Sequence, residues 1–201
     1  MTAFDKLVEI FRTFPGVGPR QAKRFAYHLV RSSSSLTTEL ATATQAVKKE
    51  VRQCTSCQRF FSGNTTLCTI CSDTSRDSGL LMIIAHDTDL ESIEKSKTYT
   101  GYYFVLGGLL SLTDDETNIR TRELTQIIND RKNTLKEVII ALSVTAEGDH
   151  TTEYIHKILN PLLEGVSVTI TVLGRGFSTG SELEYADSET IKHAFSGRKS
   201  I

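Results

Sequence analysis

The chain has 201 residues, of which 39% are hydrophobic and 23% are charged, and its formal net charge is -1. This length fits one or two compact domains, and the modest glycine and proline content excludes a mainly disordered or collagen-like chain. No stretch approaches the roughly 18 consecutive apolar residues of a membrane span. The N-terminus lacks a signal-peptide core, which predicts a protein that is not exported.

The small net charge conceals a division along the chain. Residues 1–52 carry nine Lys and Arg side chains against four acids, whereas residues 80–201 carry 12 basic and 18 acidic side chains. A basic N-terminal segment on an acidic body suggests binding to a polyanion. A solvated helix surface is the simpler explanation of the charge taken alone.

Apolar residues with helical spacing dominate the N-terminal segment. They predict three helices, over residues 4–14, 20–31 and 36–51. A polar linker of serines, 32–35, separates the second helix from the third. Leu40 and Val47 lie on the apolar side of the third helix. These patterns predict a small, all-helical N-terminal segment.

The break between the first two helices is rich in glycine and proline. Gly16 and Gly18 permit backbone conformations closed to other residues and leave no side chain in the way of a ligand. Pro19 opens the next helix, whose free N–H groups can hold a phosphate oxygen. Three basic residues surround the same point: Arg20, Lys23 and Arg24. The pattern predicts a helix-hairpin-helix that binds the DNA backbone, and the alternative is a tight turn with incidental basic residues.

All four cysteines form two Cys-x-x-Cys pairs separated by ten residues, Cys54 with Cys57 and Cys68 with Cys71. Each pair offers two thiolates from one turn, and two such turns close the tetrahedral shell that Zn²⁺ prefers in structural sites. The segment has too few apolar residues for a core of its own, and metal binding would supply the missing folding free energy. A redox dithiol, a disulfide pair and buried free thiols are the alternatives.

Residues 80–172 alternate between apolar strands and helices. Strands are predicted at 80–84, 102–106, 138–142 and 166–172, and helices at 89–95, 119–131 and 151–163. Continuous apolar strands separated by helices predict a parallel sheet that is covered on both faces.

Acidic residues follow two of these strands. Asp87 and Asp89 come after the first strand, and Glu147 and Asp149 come after the third. The carboxyl ends of parallel strands are where such sheets bind ligands, and paired carboxylates there commonly hold Mg²⁺. The alternative is a set of solvated loop acids in which Asp149 caps the following helix.

In this order, the segments resemble the RecR family of bacterial recombination mediators over nearly the whole chain. Besides the four cysteines, the resemblance depends on residues 14–19, 103–108, 147–148, 180–187 and 194–198. It implies an α/β protein in four parts: a helix-hairpin-helix DNA-binding domain (1–53), a C4 zinc finger (54–78), a Toprim domain with a parallel sheet (79–173), and a C-terminal helical oligomerisation segment (174–201).

The resemblance also implies a function. Members of the family are DNA repair proteins without established catalytic activity, and with RecF and RecO they help to load RecA onto single-stranded DNA. They assemble into rings, often tetramers, that can encircle DNA. We therefore expect a cytoplasmic, nucleoid-associated homo-oligomer, from a dimer to a tetrameric ring. We also expect it to bind single- and double-stranded DNA and to hold one structural zinc ion per chain.

Two positions depart from the expected pattern. A catalytic Toprim domain has a Glu at the end of its first strand, where this chain has Ala85, and the family's usual Thr-Asn-Pro after the third strand is Leu-Ser-Val at 142–144. Ala85 argues against strand cleavage and weakens a Mg²⁺ site, so Glu147 and Asp149 are expected to contact a basic partner such as RecO. A Mg²⁺-dependent nuclease or primase and a zinc-ribbon adaptor that binds only proteins are the competing functions.

The C-terminal segment begins with a glycine-rich stretch at 174–180. It lacks the Gly-Lys-Ser/Thr ending of a Walker A loop, so we expect a mobile linker to a final helix. Ile191, Ala194 and Phe195 form an apolar side of that helix. This side is expected to bind either another subunit or its own chain.

Overall fold

Residue contacts divide the chain into two units, Met1–Arg52 and Gln53–Ile201. The computed structural model describes residues 1–113, 119–174, 176–177 and 180–197. Within these ranges, no helix combines the length and the apolar character that a membrane span requires. The first unit is helical, and the second combines helices with a parallel sheet.

Side-chain caps fix where two of the three N-terminal helices begin. The helices are α1 (Ala3–Arg12), α2 (Pro19–Arg31) and α3 (Ser34–Glu50). Thr2 Oγ1 accepts a hydrogen bond from Asp5 N at 3.2 Å, and Ser33 Oγ accepts one from Leu36 N at 3.3 Å. The three predicted helices are confirmed. The predicted serine linker shrinks because Ser33 caps α3.

The core of the N-terminal unit is small and lies between α1 and α2. Val8, Ala22 and Ala26 are buried, and the partly buried Phe11 and Val17 pack against them. Two alanines at the contact bring the helices close together, because the interaxial distance follows the size of the side chains between them.

Helix α3 contributes no buried side chain. Leu36, Leu40 and Val47 are all exposed, although the sequence places Leu40 and Val47 on its apolar side. The helix therefore forms as predicted, but these apolar side chains stay exposed in the part of the chain that the structure describes.

The cysteine segment is built from short elements. They are strands β1 (Val51–Gln53) and β2 (Phe60–Ser62), which form a two-stranded sheet, and helix α4 (Thr69–Ser72). Ile70 of α4 is buried against the larger sheet described next. The segment thus adds its few apolar side chains to a neighbouring core.

Four parallel strands form the main sheet, and the predicted α/β architecture is confirmed. The strands are β3 (Asp77–Ile84), β4 (Gly101–Val105), β5 (Glu137–Ala141) and β6 (Thr169–Val172). The helices between them are α5 (Asp87–Ser96), α6 (Thr121–Arg131) and α7 (Ala146–Leu162). The spatial order is β4–β3–β5–β6, and Ile83 pairs with Phe104 on one side and Ile140 on the other. This register brings the carboxyl ends of the strands to one edge.

Alternate residues of β3 enter two different cores, as the pleat of a strand requires. Leu81 and Ile83 belong to the core that α6 and α7 cover. Met82 and Ile84 belong to the other core, which α5 and three cysteines cover: Cys54, Cys57 and Cys68. The cysteine segment is therefore one of the layers on the sheet. The division of the sequence into four domains stays a prediction.

A last helix, α8 (Ser188–Ser196), follows a short 3-10 helix, Leu183–Tyr185. Asp187 caps α8 by accepting hydrogen bonds from the N–H groups of Glu189 at 3.0 Å and Thr190 at 2.9 Å. Phe195 is exposed, whereas Ile191 and Ala194 are half-buried. The predicted linker at 174–180 and the end of the C-terminal segment lie partly outside the described residues.

Candidate nucleic-acid interface and metal centre

The turn between α1 and α2 holds two glycines in open space. Gly16 has a φ of +75°, a left-handed conformation that favours glycine. Gly18 is the N-cap of α2 and has an extended backbone that other residues adopt readily. A Cβ atom at either position would meet no heavy atom within 4 Å. Backbone strain therefore explains the glycine at position 16 alone, and Gly18 leaves the start of α2 unobstructed.

Helix α2 begins without a side-chain cap, unlike α1 and α3. Pro19 occupies its first position and has no N–H, and Ala22 N donates the next backbone hydrogen bond to Gly18 O at 3.0 Å. The N–H groups of Arg20 and Gln21 have no hydrogen-bond partner among the described residues. Free N–H groups at the positive end of a helix can hold a phosphate oxygen.

The three basic residues predicted to contact DNA, Arg20, Lys23 and Arg24, are all exposed on α2. This helix contains no acid, and none of the three forms a salt bridge in the part of the chain that the structure describes. Arg12 of α1, in contrast, is paired with Glu9 at 2.8 Å. The structure thus brings the predicted glycines and three exposed basic residues together in the N-terminal half of α2.

The four cysteines converge on one point. Their Sγ atoms all lie within 4.8 Å of one another, and those of Cys57 and Cys68 are 3.6 Å apart. A tetrahedral ion with metal–sulfur bonds of about 2.3 Å requires sulfurs about 3.8 Å apart. The spacing therefore fits one ion with four sulfur ligands. None of the four cysteines forms a disulfide bond in the structure, so the disulfide alternative has no support here.

Backbone hydrogen bonds shape the cysteine turns. Cys54 N donates to Arg59 O at 2.8 Å, and Gln58 N donates to Cys54 O at 3.0 Å. Gln58 takes a φ of +63° to close this turn. Cys68 N donates to Cys54 Sγ at 3.4 Å and so connects the second turn to the first. Helix α4, which carries Cys71, begins directly after Cys68.

The crowding of the sulfurs changes their acidities. Hydrogen bonds to Cys68 and Cys71, together with burial, raise the pKa of Cys57. Hydrogen bonds to Cys57 and Cys71 lower the pKa of Cys68. Protonated neighbours therefore stabilise one thiolate, whereas four thiolates this close require a cation between them. Thiolates are soft ligands, so this donor set fits a transition-metal ion or Zn²⁺ better than Mg²⁺ or Ca²⁺.

Within residues 1–113 and 119–174, the carboxyl edge of the main sheet holds no converging set of acids. Ala85 is buried at the end of β3. Asp87 Oδ1 accepts a hydrogen bond from Phe60 N at 2.8 Å, and Asp89 Oδ2 accepts one from His86 N at 2.8 Å. Among the described residues, only the four cysteines form a group of three or more converging metal donors. Asp87 and Asp89 therefore both have structural contacts.

Glu147 and Asp149 are exposed in the first turn of α7. The cap of this helix is Thr145, whose Oγ1 accepts a hydrogen bond from Gly148 N at 3.1 Å. The alternative in which Asp149 is the cap was wrong, because the helix begins before it. Gly148 is buried against Ser143, whose carbonyl oxygen would lie 1.8 Å from a Cβ atom at position 148. This close packing fixes the start of the helix that carries the two acids.

Arg120 is a structural residue that the sequence patterns did not identify. Its Nη1 donates hydrogen bonds to Gln58 O at 3.0 Å and to Val105 O at 2.9 Å. Its guanidinium also lies 5.6 Å from the centre of the Phe60 ring. Arg120 thus connects the first cysteine turn to the end of β4. No local pattern could show this, since Gln58 lies 62 residues away.

Comparisons with known proteins agree with this architecture. Family models match residues 4–48 (RecR, helix-hairpin-helix), 79–173 (Toprim domain) and 178–199 (RecR, C-terminal). The chain is 36% identical to Recombination protein RecR of Legionella pneumophila strain Corby, over 100% of this chain and 99% of the relative. It is 34% identical to proteins of the same name from Dehalococcoides mccartyi and Chlorobaculum parvum, over 99% of this chain and 95% and 97% of the relatives.

A helix-hairpin-helix, a four-cysteine cluster and a Toprim sheet in one chain define a protein of DNA recombination and repair. Within this class, the relatives that match over nearly their full length and the family models that match both ends of the chain all indicate one family. The chain belongs to the RecR family, and the resemblance noted in the sequence is confirmed.

Proposed function

We propose that this protein is a DNA-binding mediator of recombinational repair that holds the sugar-phosphate backbone at the hairpin end of α2. The observation that carries the proposal is that open glycines, a helix N-terminus without a side-chain cap and exposed basic side chains occur together. The proposed contact residues are Gly16, Gly18, Arg20, Lys23 and Arg24.

In the proposed mechanism, backbone N–H groups hold a phosphate and basic side chains neutralise the neighbouring phosphates. Phosphate oxygens accept hydrogen bonds from the N–H groups of Arg20 and Gln21, and the missing Cβ at Gly18 permits a close approach. The exposed cations neutralise neighbouring phosphates and release condensed counterions. Phosphate contacts carry no sequence information, so this site binds single and double strands of any sequence and weakens as salt increases.

Replacing Arg20 and Arg24 together with Ala tests this site. If each cation neutralises one phosphate, the plot of log K against log salt for a labelled duplex should become shallower by about 1.8 units. The affinity for the duplex at low salt should also fall. Arg12→Ala is the matched control, because Arg12 lies in the same unit but is paired with Glu9. DNA binding by the double variant at the wild-type level would contradict the assignment.

We further propose that the cysteines hold Zn²⁺, one ion per chain. A closed shell of four thiolates suits Zn²⁺ and gives the ion a structural role. When bound, the ion supplies the cross-links that replace a hydrophobic core in this segment. Cys54, Cys57 and Cys68 are buried against the sheet, as expected of structural ligands. Elemental analysis should return one zinc atom per chain, and iron or a metal-free folded protein would contradict the proposal.

We also propose that the Toprim domain cleaves no bond. The methyl group of Ala85 cannot transfer a proton, and the carboxylates of Asp87 and Asp89 already accept backbone hydrogen bonds. Purified protein with Mg²⁺ or Mn²⁺ is expected to leave supercoiled plasmid intact. Nicking that Glu147→Ala abolishes would instead establish a metal-dependent Toprim enzyme.

Glu147 and Asp149 are the proposed contacts for a basic surface of RecO, with RecF as a further partner in loading RecA onto single-stranded DNA. Two exposed carboxylates in one helical turn attract a positive surface and increase its association rate. Glu147→Gln combined with Asp149→Asn should weaken RecO binding and leave DNA binding unchanged. Glu153→Gln is the control, since Glu153 is exposed on the same helix. Equal RecO binding by all three proteins would contradict the assignment.

The proposed assembly is a homo-oligomer, from a dimer to a tetrameric ring, in the cytoplasm beside the nucleoid. Exposed apolar residues at α3 and α8, among them Leu40, Val47 and Phe195, support contacts between subunits. Native mass measurement with and without DNA tests the assembly. A monomer under all conditions would contradict the ring and leave the hairpin site untouched.

A further inference from the structure

Three aromatic rings are exposed in the N-terminal unit, and two of them, Phe14 and Phe25, share a contact with Phe11, whereas Tyr27 packs against Phe4. Phe14 is 49% exposed and Phe25 is 36% exposed. Each makes an edge-to-face contact with Phe11, at centroid distances of 5.8 and 5.7 Å. Phe11 is half-buried and packs against the core between α1 and α2. One inner ring therefore holds both outer rings in place while part of each stays open to solvent.

Both rings belong to the elements that form the proposed site. Phe14 precedes the hairpin, and its carbonyl oxygen accepts a hydrogen bond from Val17 N at 3.0 Å. Phe25 lies one turn after Gln21, so the two side chains share one side of α2. Arg24 Nη1 donates a hydrogen bond to Gln21 Oε1 at 3.4 Å. The guanidinium of Arg24 is thereby turned toward the side of the helix that bears Phe25.

The charge of α2 indicates what covers these rings. The helix carries four Lys and Arg side chains and no acid. An apolar protein surface laid over the rings would desolvate these cations without pairing them, which is costly. A polyanion pairs them. Aromatic faces beside cations are the arrangement with which proteins hold single-stranded nucleic acid, because every base has a face that can stack.

We propose that Phe14 and Phe25 form a stacking platform for unpaired bases, which gives the protein a preference for single strands over duplex. Phosphate contacts alone do not provide this preference, since both kinds of DNA present phosphates. In a duplex the bases stack on one another and cannot reach the two rings. The inference rests on the proposed DNA-binding function of the hairpin and adds the class of strand that it selects.

A comparison of three probes tests the platform. They are a labelled oligo-dT, an abasic strand of the same length, and a duplex of the same length. The wild-type protein should bind oligo-dT about tenfold or more tightly than the abasic strand. Combined Phe14→Leu and Phe25→Leu substitutions keep an apolar side chain against Phe11 but remove the aromatic faces. They should abolish the advantage of oligo-dT and leave the other two affinities unchanged.

Controls separate this inference from the function on which it rests. Arg20→Ala with Arg24→Ala should weaken the binding of all three probes, whereas Val30→Ala, at an exposed position on the same helix, should change none. Equal wild-type affinities for oligo-dT and the abasic strand would overturn the platform and leave the phosphate site standing. Equal losses for all probes in the leucine variant would also overturn it. So would a changed native mass with oligo-dT binding intact, which would assign the rings to a subunit contact.

The absence of tryptophan from the chain provides a second readout. Phe14→Trp introduces a single indole at the proposed platform. Its fluorescence should be quenched by oligo-dT and unaffected by the duplex or the abasic strand. Fluorescence that no strand changes would overturn the base contact, even if the leucine variants fail to fold.

Discussion

The basic side chains at the hairpin of the N-terminal unit and three arginines of the second unit differ in their surroundings. In the N-terminal unit, Arg20, Lys23 and Arg24 of α2 are exposed and form no salt bridge within the described chain. In the second unit, three arginines donate hydrogen bonds to backbone carbonyls and lie against aromatic rings: Arg76, Arg120 and Arg131. An arginine whose donors are occupied stabilises the fold, whereas one with free donors can bind a ligand.

The comparison shows that positive charge by itself does not locate an interface. Counting Lys and Arg along the chain weighs Arg20 and Arg120 equally. The difference lies in their partners, because Arg120 is held by Gln58 O and Val105 O. Substituting the three arginines of the second unit should therefore change stability, and substituting the basic residues at the hairpin should change binding.

The largest expected effect is on the stability of the second unit, which contains the four-cysteine cluster. Cys54→Ser removes one ligand, and the apparent free energy of a structural zinc site, about 10–16 kcal/mol, is as large as the whole stability of a typical domain. We expect loss of zinc and loss of cooperative unfolding in the second unit, measured by elemental analysis and circular dichroism. Ser56→Ala, in the same turn, is the control. A chelated protein with an unchanged unfolding transition would refute the role of the metal.

The next effect contrasts two arginines directly. Arg120→Ala leaves two carbonyl oxygens without their charged donor and should destabilise the protein by about 2 kcal/mol. Arg20→Ala changes an exposed side chain and should shift the free energy of unfolding by no more than about 0.5 kcal/mol. Urea titration measures both values. Equal destabilisation by the two variants would remove the distinction between structural and binding arginines.

Substitutions of the two hairpin glycines should affect stability and DNA binding differently. Gly16→Ala forces a Cβ into the left-handed region and should cost about 1 kcal/mol of stability. Gly18→Ser should keep stability or raise it slightly, because serine is a preferred N-cap. Its hydroxyl would accept the Gln21 N–H that we assign to phosphate, so DNA affinity should fall. Thermal unfolding and anisotropy titration measure the two effects, and unchanged DNA affinity of Gly18→Ser would argue against the backbone contact.

The smallest effect concerns pH and a partly buried network of the second unit that joins Arg76, Glu94 and Tyr103. Burial by itself would raise the pKa of Glu94, but hydrogen bonds from Arg76 and Tyr103 outweigh it and lower the pKa below its usual 4.5. A carboxylate with a lowered pKa stabilises the fold above the unfolded-state pKa. This stabilisation is lost as pH falls through the folded-state pKa.

Glu94→Gln should therefore lose less stability than the wild type between about pH 5 and pH 3. The measurement is the urea midpoint at a series of pH values. Glu91→Gln is the control, since Glu91 is exposed on the same helix. Parallel acid profiles of wild type and Glu94→Gln would show that the network does not contribute to acid sensitivity.

Much of the fold could be predicted because the relevant patterns are local. Apolar periodicity identified the three N-terminal helices and the four parallel strands, and the spacing of Cys54, Cys57, Cys68 and Cys71 predicted their convergence. Boundaries were less accurate where capping decided them. Helix α7 begins well before the predicted residue 151 because Thr145 caps it and Gly148 fits against Ser143.

The amino-acid sequence alone determined which residue types meet in the hairpin and which thiols are paired in each turn, because these groups are neighbours along the chain. Only the tertiary structure decided that the cysteine segment covers one face of the sheet. It also decided that the guanidinium of Arg120 donates hydrogen bonds to Gln58 O and Val105 O. The tertiary structure likewise decided that Phe14 and Phe25 contact Phe11 and remain exposed. Burial and hydrogen-bond partners depend on residues far apart in the chain, and no local pattern encodes them.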